Sequence, residues 1–231
     1  DDLNRACENM AAMKGDPRYL LSEISDGHVF FETKKNYAKD MVTGFIRLNG
    51  NTVGCVANAV SDPKKSPAPV LTVNGCEKAA DFVNFCDAFN IPVLTLADVK
   101  GYQADKESEK KIAKAAGRLT YAYANATVPK VTVVTGQAYG TAYLTMCSKA
   151  LGADIVYAWD KASIGMMDPS AAVKIMYAKE IETAEDAPAL IAEKAAAYGK
   201  EQSSAQAAAR RGYVDDIIAP ADTRKRVAAA L

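Results

Sequence analysis

The sequence predicts an α/β fold in which two strands and a helix recur as a unit. Three observations carry this. Two apolar runs, Val42–Leu48 and Thr52–Ala57, are split by Asn49-Gly50-Asn51, and Asn-Gly between such runs is a strong hairpin signal. The stretch "IPVLTLADV" reads as a continuous buried strand, as parallel sheets require, and "VPKVTVVT" reads as the next strand. Segments with helical apolar spacing flank these strands. No G-x-G-x-x-G follows a strand, so a dinucleotide-binding sheet lacks its phosphate-binding turn.

In chain order, residues 2–13 are expected to be helical and to end at Lys14-Gly15-Asp16-Pro17. Pro17 then opens a short helix reaching Ile24, since proline is pre-organised for the first helical position. "HVFFET" reads as a strand leading into the hairpin, "SDPKKSPAP" as a polar loop and "VLTV" as a short strand. Over residues 75–90, Ala79, Phe82, Val83, Cys86 and Phe89 fall on one helical face. A helix over about Asp105–Asn125 has Ile112, Ala115, Leu119 and Tyr123 on one face. The strand "VPKVTVVT" is expected to end at Thr135, with Gly136 to Gly140 as a tight turn into a helix from about Thr141. "ADIVYAW" and "SIGMM" read as further strands, and Asp168-Pro169 as the N-cap and first position of the next helix. Two Ala-rich helices over about 187–198 and 201–211, a last strand in "GYVDDIIAP" and a helix over 220–231 complete the chain. The Ala-rich faces need covering, so residues 185–211 are expected at an oligomer interface and the protein is expected to be at least a dimer.

Bulk composition bounds the function. The 231 residues, 49% of them hydrophobic, show no seam and read as one domain with a large core, preceded by a helical extension over 1–17. Lys plus Arg equals Asp plus Glu at 28 each, which argues against binding nucleic acid through phosphate neutralisation. No apolar run approaches the ~18 residues of a membrane span. Five scattered cysteines without CxxC pairing, beside a single histidine, argue against a zinc site. Their odd number, with no secretion signal, points to a reducing, cytoplasmic setting. The chain begins at Asp1 rather than Met, as a processed protein or a segment of a longer one does.

Few side chains offer chemistry. His28 lies in a turn without the nucleophile and orienting acid that a catalytic histidine needs, and reads as a surface residue. Of the carboxylates Asp98, Asp154, Asp168, Asp215 and Asp216, Asp98 ends a buried strand, where α/β proteins place ligands, but it reads first as a hydrogen-bond acceptor for the backbone of the loop that follows it. Lys106, Lys110, Lys111, Lys114 and Arg118 would attract a phosphate-bearing ligand such as coenzyme A, or simply form a solvated helix face. What remains is backbone. A helix starting near Thr141 presents free N–H groups and a partial positive charge, which can stabilise a developing oxyanion or serve only as a turn.

The stretches "EKAADFVNFCDAFNIPVLTLADVKGY", "YAYANATVPKVTVVTGQAYGTAYLTMCSKALGADIVYAW" and "RRGYVDDIIAPADTRKRVAAAL" resemble the carboxyltransferase (β-type) subunits of biotin-dependent acyl-CoA carboxylases and decarboxylases, of the propionyl-CoA, acetyl-CoA and methylmalonyl-CoA types. The resemblance is collinear from about residue 18 to the C-terminus and matches only the C-terminal of that family's two domains. It implies the ClpP/crotonase-like α/β fold, a spiral of ββα units. It also implies a carboxyltransferase component that moves a carboxyl group between carboxybiotin and an acyl-CoA. The implied partners are a biotin carboxyl carrier protein and an N-terminal carboxyltransferase domain or subunit. The family's K-A-Y/F-G-G-A-Y turn corresponds to Gln137 through Tyr143, so the implied oxyanion hole for the biotin ureido oxygen is the N–H pair of Thr141 and Ala142. Gly140, Gly101 and Tyr102 are implied around biotin, and Leu144, Tyr143 and Met167 along the acyl pocket.

Several positions depart from the family pattern. Thr141 replaces a glycine; because a β-branched residue is strained at positive φ, it is expected at negative φ. The D-V-P-G-F turn is "DVKGY", with Lys100 in place of proline, the I-I-R-H-G-A helix is "KIAKAAGRLT", and M-G-x-x-G-A-V is "MMDPSAAV", with Asp168. These changes keep alternatives open: a divergent acyl-CoA decarboxylase subunit, or a non-catalytic domain that docks the biotin carrier and holds an oligomer. A CoA hydratase or hydrolase on the same fold would need a well-placed carboxylate pair, which the glycine-containing turns do not show.

Overall fold

The first described segment, residues 2–16, is a series of turns rather than the expected helix over 2–13. The spacing of Leu3, Cys7 and Met10 suits a helix, but the Cys7 N–H bonds the Ala221 carbonyl at 2.9 Å and draws this segment onto the C-terminal end of the chain. The computed structural model describes residues 2–60 and 66–231, so Ser61 to Lys65 of the expected polar loop lie outside the described residues.

Asp16 accepts hydrogen bonds from the Arg18 and Tyr19 N–H groups and caps α1 (Pro17–Ile24). The strand expected in "HVFFET" is shorter, β1 (Phe31–Thr33). The hairpin forms as predicted, β2 (Met41–Leu48) against β3 (Asn51–Asn58), antiparallel in register from Met41/Asn58 to Leu48/Asn51. β4 is only Val70–Leu71, because Thr72 is the N-cap of α2 (Val73–Ala88), its hydroxyl accepting the Gly75 N–H. β5 (Val93–Val99) and a two-residue β6 (Gly101–Tyr102) follow. The helix expected over 105–125 is two helices, α3 (Lys106–Glu109) and α4 (Ile112–Asn125), broken at Lys110-Lys111.

β7 (Lys130–Tyr139), α5 (Gly140–Thr145), β8 (Ile155–Trp159) and β9 (Ser163–Gly165) come next. Asp168 caps α6 (Pro169–Met176) as expected, and α7 (Ala178–Thr183) and α8 (Ala187–Tyr198) extend the excursion. The second Ala-rich helix, α9, runs over Ala205–Arg210 rather than from 201, after a wide turn at Gly199–Ser203. β10 (Asp216–Ile218) and α10 (Thr223–Ala230) close the chain.

Eight strands make the main sheet, in the order β1-β2-β3-β5-β7-β8-β10 with β9 also on β7; β4 and β6 form a separate parallel pair. Period-two alternation sends Leu94, Leu96, Val131 and Val133 to one core with α1 and α10, and Val93, Ala97, Val99 and Val134 to the other with α2, α4 and α5. Two buried cations staple the edges. Lys78 donates to the carbonyls of Lys34, Tyr37, Ala38 and Met41 at 2.6 to 3.4 Å, closing the loop before β2. Arg224, with no exposed surface, reaches the Asp2 and Ile24 carbonyls and the Asp26 carboxylate.

Candidate active site

The parallel strands β5 and β7 end side by side, in register from Val93/Lys130 to Ala97/Val134. There the structure departs from the turn expected over 136–140. β7 does not stop at Thr135; it shifts register, pairs Ala138 with Val99, and runs four residues further beside β9, from Gln137/Ser163 to Tyr139/Gly165. Gly136 is therefore a strand residue. A side chain there would put its Cβ 2.5 Å from the Asp98 carboxylate, so the glycine makes room for that acid. The turn is the single residue Gly140, at φ +58°, which starts α5 one residue earlier than expected. Thr141 is not among the positive-φ residues, as its β-branched side chain requires.

Gly140, Thr141 and Ala142 are the first three residues of α5, and such positions have no intrahelical acceptor for their N–H groups. No side chain caps them. Thr141 and Leu144, three apart and both exposed, share one face of α5. A Cβ on Gly140 would lie 3.0 Å from the Met166 carbonyl, so the Met166-Met167 segment borders the same turn. Tyr143, expected along the acyl pocket, instead points into the core, where its phenol is buried without a hydrogen-bond partner. One turn after Thr141, the Thr145 hydroxyl meets the Thr141 carbonyl at 3.0 Å, the Tyr102 hydroxyl at 3.2 Å and the Thr120 hydroxyl at 3.3 Å.

That contact ties β6 to α5 and places Tyr102 on the wall of a cleft of about 620 Å³, with Asp40, Ala59, Thr72, Gln103 and Asp105. The volume is that of a small-molecule pocket. Beside Gly101 an added Cβ would meet nothing within 4 Å, so the space there is open. Sequence reasoning missed Asp40, which lines this cleft and accepts the Thr72 hydroxyl at 2.8 Å. Burial raises its carboxyl above the usual carboxylate value.

A second cavity, of about 380 Å³, is lined by Lys14, Asp98, Gly136, Gln137, Tyr139 and Lys161. Here Asp98 accepts the Gln137 N–H at 2.8 Å, so its bond goes to the neighbouring strand rather than to its own loop. Burial raises its carboxyl, against the opposing pull of that bond and of Lys14. An acid whose folded-state pKa is raised contributes its stability at low pH and loses it as pH rises through that raised value. Asp98→Asn keeps an acceptor for Gln137 and removes the buried charge. It is expected to raise Tm by a few degrees at pH 7 and by less at pH 4, read by thermal melts at both.

Residues 8–231 match the carboxyl transferase domain family. The chain belongs to this family. It is 45% identical to the methylmalonyl-CoA carboxyltransferase 12S subunit of Propionibacterium freudenreichii, over 94% of this chain and 41% of that one. It is 42% identical to the propionyl-CoA carboxylase carboxyltransferase subunit of Haloferax mediterranei, over the whole chain and 44% of the relative. Among solved structures, the transcarboxylase 12S hexamer with methylmalonyl-CoA and methylmalonic acid bound superposes with a TM-score of 0.90 at 42% identity, covering 100% of this chain and 45% of that one. The geranyl-CoA carboxylase β subunit of P. aeruginosa gives 0.79 at 28% identity, over 92% and 40%. The fold is thus the α/β crotonase type that the resemblance implied, and the chain spans less than half the length of these relatives.

Within this carboxyl transferase domain, several other candidates have structural partners or lie buried. His28 is exposed, in a turn beside β1, 3.2 Å from Glu23. All five cysteines are free and buried, and burial pushes the thiols of Cys76, Cys86 and Cys147 up to about 12, far from the thiolate a nucleophile needs. Asp154 accepts the Lys130 N–H, and Asp215 the Val156 N–H. Of the basic helix residues, Lys110 pairs with Glu107 and Arg118 with Asp81. Among the described residues no His, Cys, Asp or Glu cluster could hold a metal ion, and no helix is long and apolar enough to cross a membrane.

Proposed function

We propose that this domain is the biotin-facing half of an acyl-CoA carboxyltransferase, moving a carboxyl group between carboxybiotin and an acyl-CoA. The observation that carries the reading is the pair of first-turn N–H groups at Thr141 and Ala142, held open behind the left-handed Gly140. Biotin supplies the nitrogen that carries the carboxyl group. The domain needs no nucleophile or metal of its own for that; its part is to fix donors where negative charge develops on the ureido oxygen. The residues present fit such a group: two free donors, open space at Gly101 and a cleft walled by Tyr102. Leu144, exposed on the Thr141 face, and Met167 would line the acyl side.

The proposed partners are a biotin carboxyl carrier protein, an acyl-CoA and an N-terminal carboxyltransferase domain. Assembly with further copies or that domain is supported by the helical excursion. Neither α7 nor α8 has a fully buried residue, and Ile175 and Met176 of α6 are exposed. The 12S relative is described as a hexamer. The test combines this chain with an N-terminal carboxyltransferase domain and follows decarboxylation of methylmalonyl-CoA or malonyl-CoA. Turnover that requires biotin is expected. Capture of a biotin carrier with no turnover on either substrate would overturn the enzymatic reading in favour of a scaffold.

A further inference from the structure

The buried Thr145 hydroxyl behind the Thr141–Ala142 peptide has three oxygen neighbours: the Thr141 carbonyl, Thr120 Oγ1 and Tyr102 Oη. A hydroxyl has one proton and two lone pairs. The carbonyl can only accept, so the Thr145 proton goes to it. Thr120 and Tyr102 must then both donate to Thr145, and every position on that oxygen is filled. A threonine bonding back to the carbonyl four residues earlier is common in helices and by itself means little. What differs here is that the bond is the end of a chain beginning at Tyr102, a residue on the cleft wall.

The Thr141 carbonyl and the Ala142 N–H belong to one planar, trans peptide unit and point in opposite directions. Fixing the carbonyl therefore fixes the N–H. Donation to the carbonyl also draws electron density from the amide, and successive hydrogen bonds polarise one another, so the N–H becomes a stronger donor.

We propose that Tyr102, Thr120 and Thr145 form a hydroxyl relay that orients and polarises the Thr141–Ala142 peptide. Thr145 is a positioning residue for oxyanion stabilisation, and Tyr102 is the point at which an occupant of the cleft acts on it. The inference rests on the oxyanion role proposed for that peptide.

The test uses the complex of this chain with an N-terminal carboxyltransferase domain, assayed for biotin-dependent decarboxylation, with thermal melts on every variant. Thr145→Val keeps the shape and removes the hydroxyl. It is expected to lower kcat about tenfold, the size of one lost hydrogen bond, with KM for the acyl-CoA unchanged. Thr145→Ser should recover most of that loss. Tyr102→Phe should lower kcat by less, and the Thr145→Val/Tyr102→Phe pair should be no slower than Thr145→Val alone, because both cut the same chain. Unchanged kcat in Thr145→Val, or equal losses in Thr145→Val and Thr145→Ser, would overturn the relay; the latter would assign the effect to methyl packing. If Thr145→Val does not fold, full kcat in Tyr102→Phe overturns it instead. Ala142→Pro, run alongside, separates the two readings. Retained turnover there sinks the oxyanion role itself, whereas lost turnover there with full turnover in Thr145→Val sinks only the relay.

Discussion

Replacing Ala142 by proline is expected to lower kcat for biotin-dependent decarboxylation by about 10²- to 10³-fold, the cost of removing one donor from an oxyanion hole. Ala142 is the third residue of α5, so its N–H is one of the four that a helix leaves unpaired, and its removal breaks no helical hydrogen bond. Proline at this place disfavours helical geometry at Thr141; circular dichroism and a thermal melt show whether α5 survives. Ala142→Gly provides the matched control, because it keeps the N–H while removing the methyl group. A folded Ala142→Pro domain with undiminished kcat would rule out an Ala142 donor.

The largest effect on stability is expected at Arg224. Arg224→Met is expected to cost about 3 kcal/mol, read from the shift in the guanidinium chloride midpoint, because it leaves the Asp2 and Ile24 carbonyls without this donor and takes the cation from the largely buried Asp26 carboxylate. Arg224 is buried completely, donates to the carbonyls of Asp2 and Ile24 at 3.1 and 2.6 Å, and meets the Asp26 carboxylate at 2.6 Å. Burial alone would raise the Asp26 carboxyl; the Gly50 N–H at 2.8 Å and the Arg224 guanidinium outweigh it and hold the group below its ordinary 3.8. An acid held low contributes its full stability above its unfolded pKa and loses it as pH falls through the lowered folded value. The wild type should therefore lose stability below pH 3.8, and Arg224→Met should show less of this acid-dependent loss. An equal acid response in the two proteins would contradict the assignment to this pair.

Local chemistry made much of the fold legible. Asn49-Gly50 between apolar runs placed β2 and β3 within a residue, and Asp168-Pro169 marked the start of α6. The misreadings arose where distant partners decide. Residues 2–13 have helical spacing but give it up to bond Ala221 across the molecule. The β-branched run stops at Thr135, yet β7 continues because β9, more than twenty residues later, offers it an edge. The break at Lys110-Lys111 was not legible because the face that argued for the helix, Ile112, Ala115, Leu119 and Tyr123, lies entirely on α4 and says nothing of the polar residues before it.

The candidate site was legible for a different reason. Backbone donors leave no side-chain signature; the strand-turn-helix pattern pointed only to a helix start near Thr141, and the resemblance singled out the Thr141 and Ala142 N–H pair. Geometry then distinguished the roles of the two glycines. Gly140 takes the left-handed conformation that frees Thr141, while Gly136 yields space to Asp98. Thr145 could have been noticed as a hydroxyl four residues after Thr141. Its link to Tyr102 spans 43 positions and emerges only on folding.

The close approach of Gly136 to Asp98 also constrains how this sequence can change. The Asp98 carboxylate occupies the volume that any side chain at 136 would need, so the two positions are epistatic. A larger residue at 136 requires the acid at 98 to swing off its bond to the Gln137 N–H or to be replaced. A lineage that first fixed a side chain at 136 would likewise meet this acid in a different place. The order of substitutions, and not only their identity, is thereby written into the end of β7.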